Sequence, residues 1–204
     1  MKLGIGIPYY KNSEECEVAF KKLMKTLEPQ IGGNILLFIF EDGQFSKWLD
    51  YSFENNIGVA WSKTNKGIAF ARNYLLEWMI NANCDYIMFI DSDDMVDCDF
   101  ISNMYTEACT SKADMIISRF IMNKKEVSYP QRSNVAGICL KSDFIKGLKF
   151  NEDYNISEDT LFINEVYKRE PLIYMINSNY YYNYGINPNS LMMRYERSEI
   201  GIKK

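Results

Sequence analysis

Residues 86–96 read YIMFIDSDDMV, and this stretch decides the fold. From Tyr86 to Ile90 it is short, aromatic and β-branched, with no polar alternation. That is the pattern of a strand buried on both faces of a sheet. The run stops abruptly at Asp91, Ser92, Asp93 and Asp94, so three carboxylates crowd at its end. Like charges this close raise one another's pKa, and the crowding calls for a partner. In an extended segment Asp91 and Asp93 would point the same way, and Ser92 and Asp94 the other. Two carboxylates on one side can hold a divalent cation, which could bridge the protein to a diphosphate. The bland alternative is a solvated turn that caps the following helix, and the DxD spacing alone does not choose between them.

Working outward, strands and helices alternate. LGIGIP (3–8) is a short apolar strand ended by Pro8. Ser13 is a good helix cap, followed by Glu14, Glu15 and Glu17 where the helix dipole favours anions. Cys16, Phe20, Leu23, Met24 and Leu27 then recur at helical spacing. NILLFIFED (34–42) is a second buried strand ending in acid, and GVAW (58–61) a third. NKGIAFARNYLLEWMI (65–80) begins as a glycine loop and continues as a helix. After the 86–90 strand come a helix through Phe100, Met104 and Ala108 and a strand at DMIISRF (114–120). Such alternation predicts an α/β domain with a mostly parallel central sheet flanked by helices. Beyond residue 120 the pattern changes. GICLKSDFI (137–145) suggests a strand leading into a short helix, and SEDTLFINEVYKR (157–169) an amphipathic helix with Ser157 as candidate cap. PLIYMINSNYYYNYG (171–185) reads as strand-like, its tyrosines as sheet packing. With no internal repeat and no Ser/Gly/Pro linker, residues 1–204 are read as a single domain.

Composition narrows the chemistry. The 204 residues are 47% hydrophobic and 25% charged, which suits one well-buried soluble domain. No apolar run reaches bilayer length and no signal-peptide pattern opens the chain. The five cysteines are odd in number and lack CxxC spacing, so they are read as reduced, in a cytoplasmic protein. A net charge of −4 gives no general nucleic-acid footprint. There is no histidine, which excludes Ser-His-Asp and Cys-His catalysis and histidine-ligated zinc. A general base is then expected to be a carboxylate, with Lys, Tyr or Cys as the alternatives, and a metal to sit among oxygens as Mg²⁺ or Mn²⁺.

Three rival acid and glycine motifs fail. An EF-hand would not place Met95 and Val96 at its fifth and sixth positions. A haloacid-dehalogenase-type phosphatase would carry its DxD on the first strand. The GIG of Gly4–Gly6 lacks a third glycine and a following helix, so it is no dinucleotide fingerprint.

Taken in order, the motifs resemble an inverting glycosyltransferase of family 2, with the Rossmann-like GT-A fold, over nearly the whole chain. GIPYYKN (6–12), FEDGQ (40–44), NKGIAFARN (65–73), FIDSDD (89–94), SEDTLF (157–162) and YYYNYGINPNS (180–190) arrive in that family's sequence. The resemblance implies that Asp42 contacts the nucleobase beside Pro8 and Tyr9. Gly67 and Arg72 would lie near the donor, and Asp91, with Ser92 beside it, would meet the ribose. Asp93, with Asp91, would hold Mn²⁺ or Mg²⁺, and Asp159 would be the catalytic base. Its place at a helix N-terminus is expected to keep Asp159 ionised and only modestly basic. Residues 1–120 would form the nucleotide-sugar-binding part and 121–204 the acceptor side with the base. Two departures stand out: the family's C-terminal histidine contact is absent, and so is the QxxRW motif of processive synthases, which favours transfer of single sugars.

The reading is therefore a metal-dependent glycosyltransferase using a nucleotide sugar, with a UDP-sugar the expected donor. A nucleotidyltransferase would want a glycine-rich basic loop after the first strand, which IPYYKN does not supply. A non-catalytic sugar or nucleic-acid binding module would share the site without turnover. The acceptor stays open among a glycan, a lipid-linked saccharide, a protein and a modified nucleic-acid base.

Overall fold

The computed structural model describes residues 1–43, 56–122, 125–127, 133–154, 156–176, 181–183 and 202. The elements follow the expected order through the first half. They are β1 (Leu3–Tyr9), α1 (Glu14–Leu27), β2 (Ile35–Asp42), β3 (Ile57–Ser62), α2 (Ile68–Asn81) and β4 (Tyr86–Phe89). Then come β5 (Met95–Val96), α3 (Phe100–Ser111), β6 (Met115–Ile117), β7 (Arg119–Met122), β8 (Lys125–Val127), β9 (Ile138–Lys141) and α4 (Ser142–Ile145). The last are α5 (Glu158–Lys168), β10 (Ile173–Met175) and β11 (Tyr181–Asn183).

Seven strands form the central sheet in the order β10-β6-β9-β4-β1-β2-β3. Strands β4, β1, β2 and β3 are parallel neighbours, and β10 runs parallel to β6. Only β9 is reversed, antiparallel to both β4 and β6. The sheet is mostly parallel, as the alternation predicts. Its two faces carry separate cores. On one, Leu3, Ile5 and Ile7 of β1 meet Phe20, Leu23 and Leu27 of α1 and Phe100 and Met104 of α3. On the other, Phe38, Ile87 and Phe89 meet Leu75 and Met79 of α2 and Phe162 and Val166 of α5. Strand alternation sorts the β1 side chains: its odd residues fill the first core, while Gly4 and Gly6 face the second. A Cβ on Gly4 would lie 2.9 Å from both the Cys84 and the Met79 sulfur, and one on Gly6 would lie 2.9 Å from Met79 Cε. The GIG is therefore a close-packing device that lets α2 lie against the central strand.

Two expectations change. DMIISRF is not one strand: it divides at Ser118, whose N–H makes the last bond on the β9 side, to the Gly137 carbonyl at 2.9 Å. Strand β7 thus leaves the large sheet and joins a second one, ordered β5-β11-β7-β8. Likewise the single tyrosine-rich strand is two, β10 in the large sheet and β11 in the small one. Residues 177–180, 184 and 185 of that stretch, like 186–190 of YYYNYGINPNS, lie outside the described residues. Among the described residues no helix is long and apolar enough to cross a membrane.

Candidate active site

Three acidic segments lie about the carboxyl ends of the parallel strands, the edge where open α/β sheets bind ligands. At the end of β2, Asp42 is 3% exposed. Its carboxylate accepts the Ser62 hydroxyl at 2.8 Å, the Lys66 N–H at 2.8 Å and the Gly67 N–H at 2.8 Å. The helix that follows has no cap of its own, because its N-cap is Gly67 at φ +97°, a backbone that only glycine adopts without strain. Asp42 does the capping from another strand, placing an anion on the helix N-terminus. The amides of residues 66 and 67 are thereby engaged, and the glycine loop is held shut against β2. Asp42, expected at the nucleobase, spends most of its acceptor capacity on this loop.

Arg72, in the second turn of α2, is 3% exposed. It pairs with Asp91 Oδ1 at 2.6 Å, and its other terminal nitrogen pairs with Glu158. The guanidinium carbon lies 5.7 Å from the centre of the Phe150 ring. Phe150 in turn stacks on Phe162 of α5 at 4.1 Å and meets Phe89 of β4 edge-on at 5.4 Å. The next residue, Asn73, clamps the same segment: it accepts from Phe150 N at 2.8 Å and donates to Phe150 O at 3.0 Å and Glu152 at 2.8 Å. One arginine and one aromatic stack thus fix the start of α5 against the end of β4.

That arrangement brings the acid pair of α5 to the acidic turn. Glu158 is 5% exposed, and burial pushes its carboxyl up to about 7 although Arg72 pulls the other way. Asp159 is also raised, again chiefly by burial, with Arg72 opposing. The backbone bonds to Asp159, including the Thr160 N–H at 2.7 Å, pull downward but are outweighed by lost hydration. Burial alone would lower Arg72, yet Asp91, Glu158 and Asp159 together raise it. Ser157 does not cap α5 with its side chain; it sits in the left-handed region at φ +67° and contributes only its carbonyl, to Leu161 N–H at 3.1 Å.

Residues 91–94 are a turn, not the extended segment that alternation requires, closed by Asp94 N–H on the Asp91 carbonyl at 3.1 Å. Its four side chains therefore do not simply alternate. Asp94 goes inside, 1% exposed, where it accepts the Tyr182 hydroxyl at 2.5 Å. Ser92 and Asp93 remain half-buried at the tip, and the Asp91 side chain is 31% exposed. Among the described residues no three Asp, Glu, Cys or His side chains are gathered to hold a metal by themselves. The oxygen-only donors still suit a hard cation, which needs one or two carboxylates and takes the rest from water and phosphate. The charge suits it as well, since one guanidinium faces Asp91, Glu158 and Asp159, with Asp93 close by in sequence.

Pro8 and Tyr9, expected beside the base, are buried. Tyr9 is 2% exposed and its ring stacks on Phe20 at 4.2 Å, so its side chain belongs to the core. The reason is that β1, a central strand, stays buried to its last residue. The exposed aromatic at that end is Tyr10, at 40%. Sequence reading also passed over Asn73 and the inward role of Asp94, each visible only as a neighbour of a chosen residue.

Comparison with known proteins follows the same lines. Residues 6–174 match the family described as Glycosyl transferase family 2. No curated protein matches the sequence. Among solved structures, S. aureus TarS 1-349 in complex with UDP superposes with a TM-score of 0.76 at 18% identity, over 92% of this chain and 61% of that one. The same protein in complex with UDP-GlcNAc gives 0.75 at 18% identity, over 92% and 60%. The mannosyltransferase PcManGT from Pyrobaculum calidifontis, in complex with GDP-Man and Mn²⁺, gives 0.69 at 9% identity, over 100% and 66%. This chain thus spans about three fifths of the length of the TarS 1-349 structures. The fold is the GT-A, Rossmann-like one, and the chain belongs to glycosyl transferase family 2.

Proposed function

We propose that this chain is an inverting, metal-dependent glycosyltransferase that moves one sugar from a nucleotide-sugar donor, a UDP-sugar by preference, to an acceptor hydroxyl. The observation that carries the reading is the Asp91–Arg72–Glu158 bridge, which ties the acidic turn after β4 to the helix bearing Asp159. Asp159 takes the acceptor's proton as its oxygen attacks the anomeric carbon, and the diphosphate leaves from the opposite face, inverting the centre in one step. A raised carboxyl serves this role better than an ordinary one, because a base gains strength as its pKa nears the working pH. Asp93, with Asp91, would hold Mn²⁺ or Mg²⁺, and such an ion, when bound, stabilises charge developing on the leaving diphosphate. The Mn²⁺ and nucleotide-sugar complexes of the structural neighbours support both choices. Asp91 and Ser92 face the ribose in this reading, Gly67 and Arg72 shape the donor side, and Asp42 acts on the base region both directly and by fixing the loop. Residues 1–120 supply the donor side and 121–204 the base and the acceptor side.

The test pairs a thermal-shift screen of nucleotide sugars, with and without Mn²⁺, with turnover of the donor that stabilises the fold most. The product's anomeric configuration is read by proton NMR. Asp159→Asn is nearly isosteric, so UDP affinity should survive while turnover falls about 10²–10⁴-fold. Normal turnover in that variant, or a loss of donor affinity in proportion to rate, removes Asp159 from the role of base.

A further inference from the structure

Tyr182 is one of the largest fully buried side chains and takes no part in the chemistry proposed above. It reaches the acidic turn across 91 residues of sequence to Asp91. Its ring stacks on Phe120 at 5.7 Å and meets Phe100 edge-on at 6.1 Å, which fixes where the hydroxyl points. Its backbone is fixed too, since Tyr182 is in register with Val96 on one side and Phe120 on the other. The hydroxyl then makes two bonds to one turn. It accepts the Asp91 N–H at 3.1 Å and donates to Asp94 Oδ2 at 2.5 Å. A phenol can do both at once, and a phenyl ring can do neither. With the turn's own Asp94–Asp91 bond, both ends of the 91–94 segment are anchored, and Asp93 is carried between them.

We propose that Tyr182 is a positioning residue that locks the metal-facing turn, and with it Asp93, to the second sheet. The proposal rests on the reading of Asp93 as a metal ligand. A cation held by one or two carboxylates and a diphosphate gains little from protein ligands that wander. The groups that orient such ligands typically contribute about 10–100-fold to metal affinity. A tyrosine that merely filled the core would contribute packing, which phenylalanine retains.

The experiment uses the full chain and compares wild type with Tyr182→Phe. Calorimetry of UDP binding at a series of Mn²⁺ concentrations gives the half-saturating metal. Hydrogen exchange of the peptide spanning 89–96 reports the turn directly. The expected result is a half-saturating Mn²⁺ raised about tenfold or more, with UDP affinity recovered at saturating metal, and faster exchange in that peptide. Asp94→Asn, which weakens the same bond from its other end, should move the metal requirement in the same direction and serves if Tyr182→Phe folds poorly. An unchanged Mn²⁺ requirement and unchanged exchange in the variants overturn the positioning role while leaving the functional reading intact. UDP binding by wild type that is indifferent to Mn²⁺ overturns the metal reading and this proposal with it.

Discussion

Arg72 offers the most informative perturbation, because one guanidinium serves two carboxylates of unequal burial. In Arg72→Met the stem is kept and the charge is lost. The Asp91 side chain, 31% exposed, is rehydrated at small cost. The Glu158 side chain, 6% exposed, is not, and breaking a buried pair in this way costs about 3–5 kcal/mol. Glu158 limits its own penalty by taking up a proton, since burial already pushes it up to about 7 with Arg72 present and further without it. At pH 7 the loss should therefore fall near the lower bound, about 3 kcal/mol, or roughly 1 M in the urea midpoint. The proton gives a second signature. A carboxyl with a raised folded pKa favours folding below its unfolded value of 4.5 and loses that contribution as pH rises. In wild type this decline ends once pH passes about 7, where Glu158 ionises. In Arg72→Met it continues, so the gap between the two should widen by about 1.4 kcal/mol per unit above pH 7. Urea melts from pH 6 to 8.5, with and without Glu158→Gln, measure both effects. If Arg72→Met costs the same in the Glu158→Gln background, or the gap is flat with pH, the guanidinium is not compensating Glu158.

The remaining predictions concern other residues of the site. Asp42→Ala strips the acceptor from two loop amides and the Ser62 hydroxyl, so it should cost about 2–4 kcal/mol in urea unfolding besides weakening UDP; unchanged stability would show that the loop does not lean on it. Asp93→Asn should abolish the Mn²⁺ dependence of donor binding while the melting temperature of the metal-free protein stays as in wild type. Wild-type activity insensitive to EDTA would contradict this. The acid limb of the kcat/KM profile should lie above the ordinary aspartate range, since burial raises Asp159; a limb at or below pH 4 would point to a different group.

What the sequence disclosed and what it hid divide along a physical line. Local signals were legible: Ser13 caps α1 through the Cys16 amide, the 86–90 run is a buried strand, and the glycine of NKG starts a helix. The acid-ended strands were legible too, because an apolar run that stops in carboxylates leaves few alternatives. Non-local pairing was hidden. Strand β5 is two residues long and exists only because β11 arrives beside it. Nothing near Ser118 announces that the chain changes sheets there. The burial of the Tyr9 side chain was hidden because a strand's burial depends on its neighbours: β2 runs beside β1 to Tyr9, while β4 pairs with it only as far as Gly6. Asp94 was misread for the opposite reason: period-two alternation holds for strands, and residues 91–94 had already become a turn.

The reversed strand β9 has a consequence for how this chain comes into being. It fills the gap between β4 and β6, and its residues, 138–141, follow β4 by some fifty positions. Until they emerge from the ribosome, β4 has β1 on one flank and a bare row of amides and carbonyls on the other. Residues 1–120 alone would therefore leave that flank of β4 without its partner strand. A nascent or truncated chain of that length would present an apolar, unpaired edge of the kind that seeds aggregation, and closing it over so long a loop is slow. The strand bearing the acidic turn is thus sealed only by the half of the chain that carries Asp159.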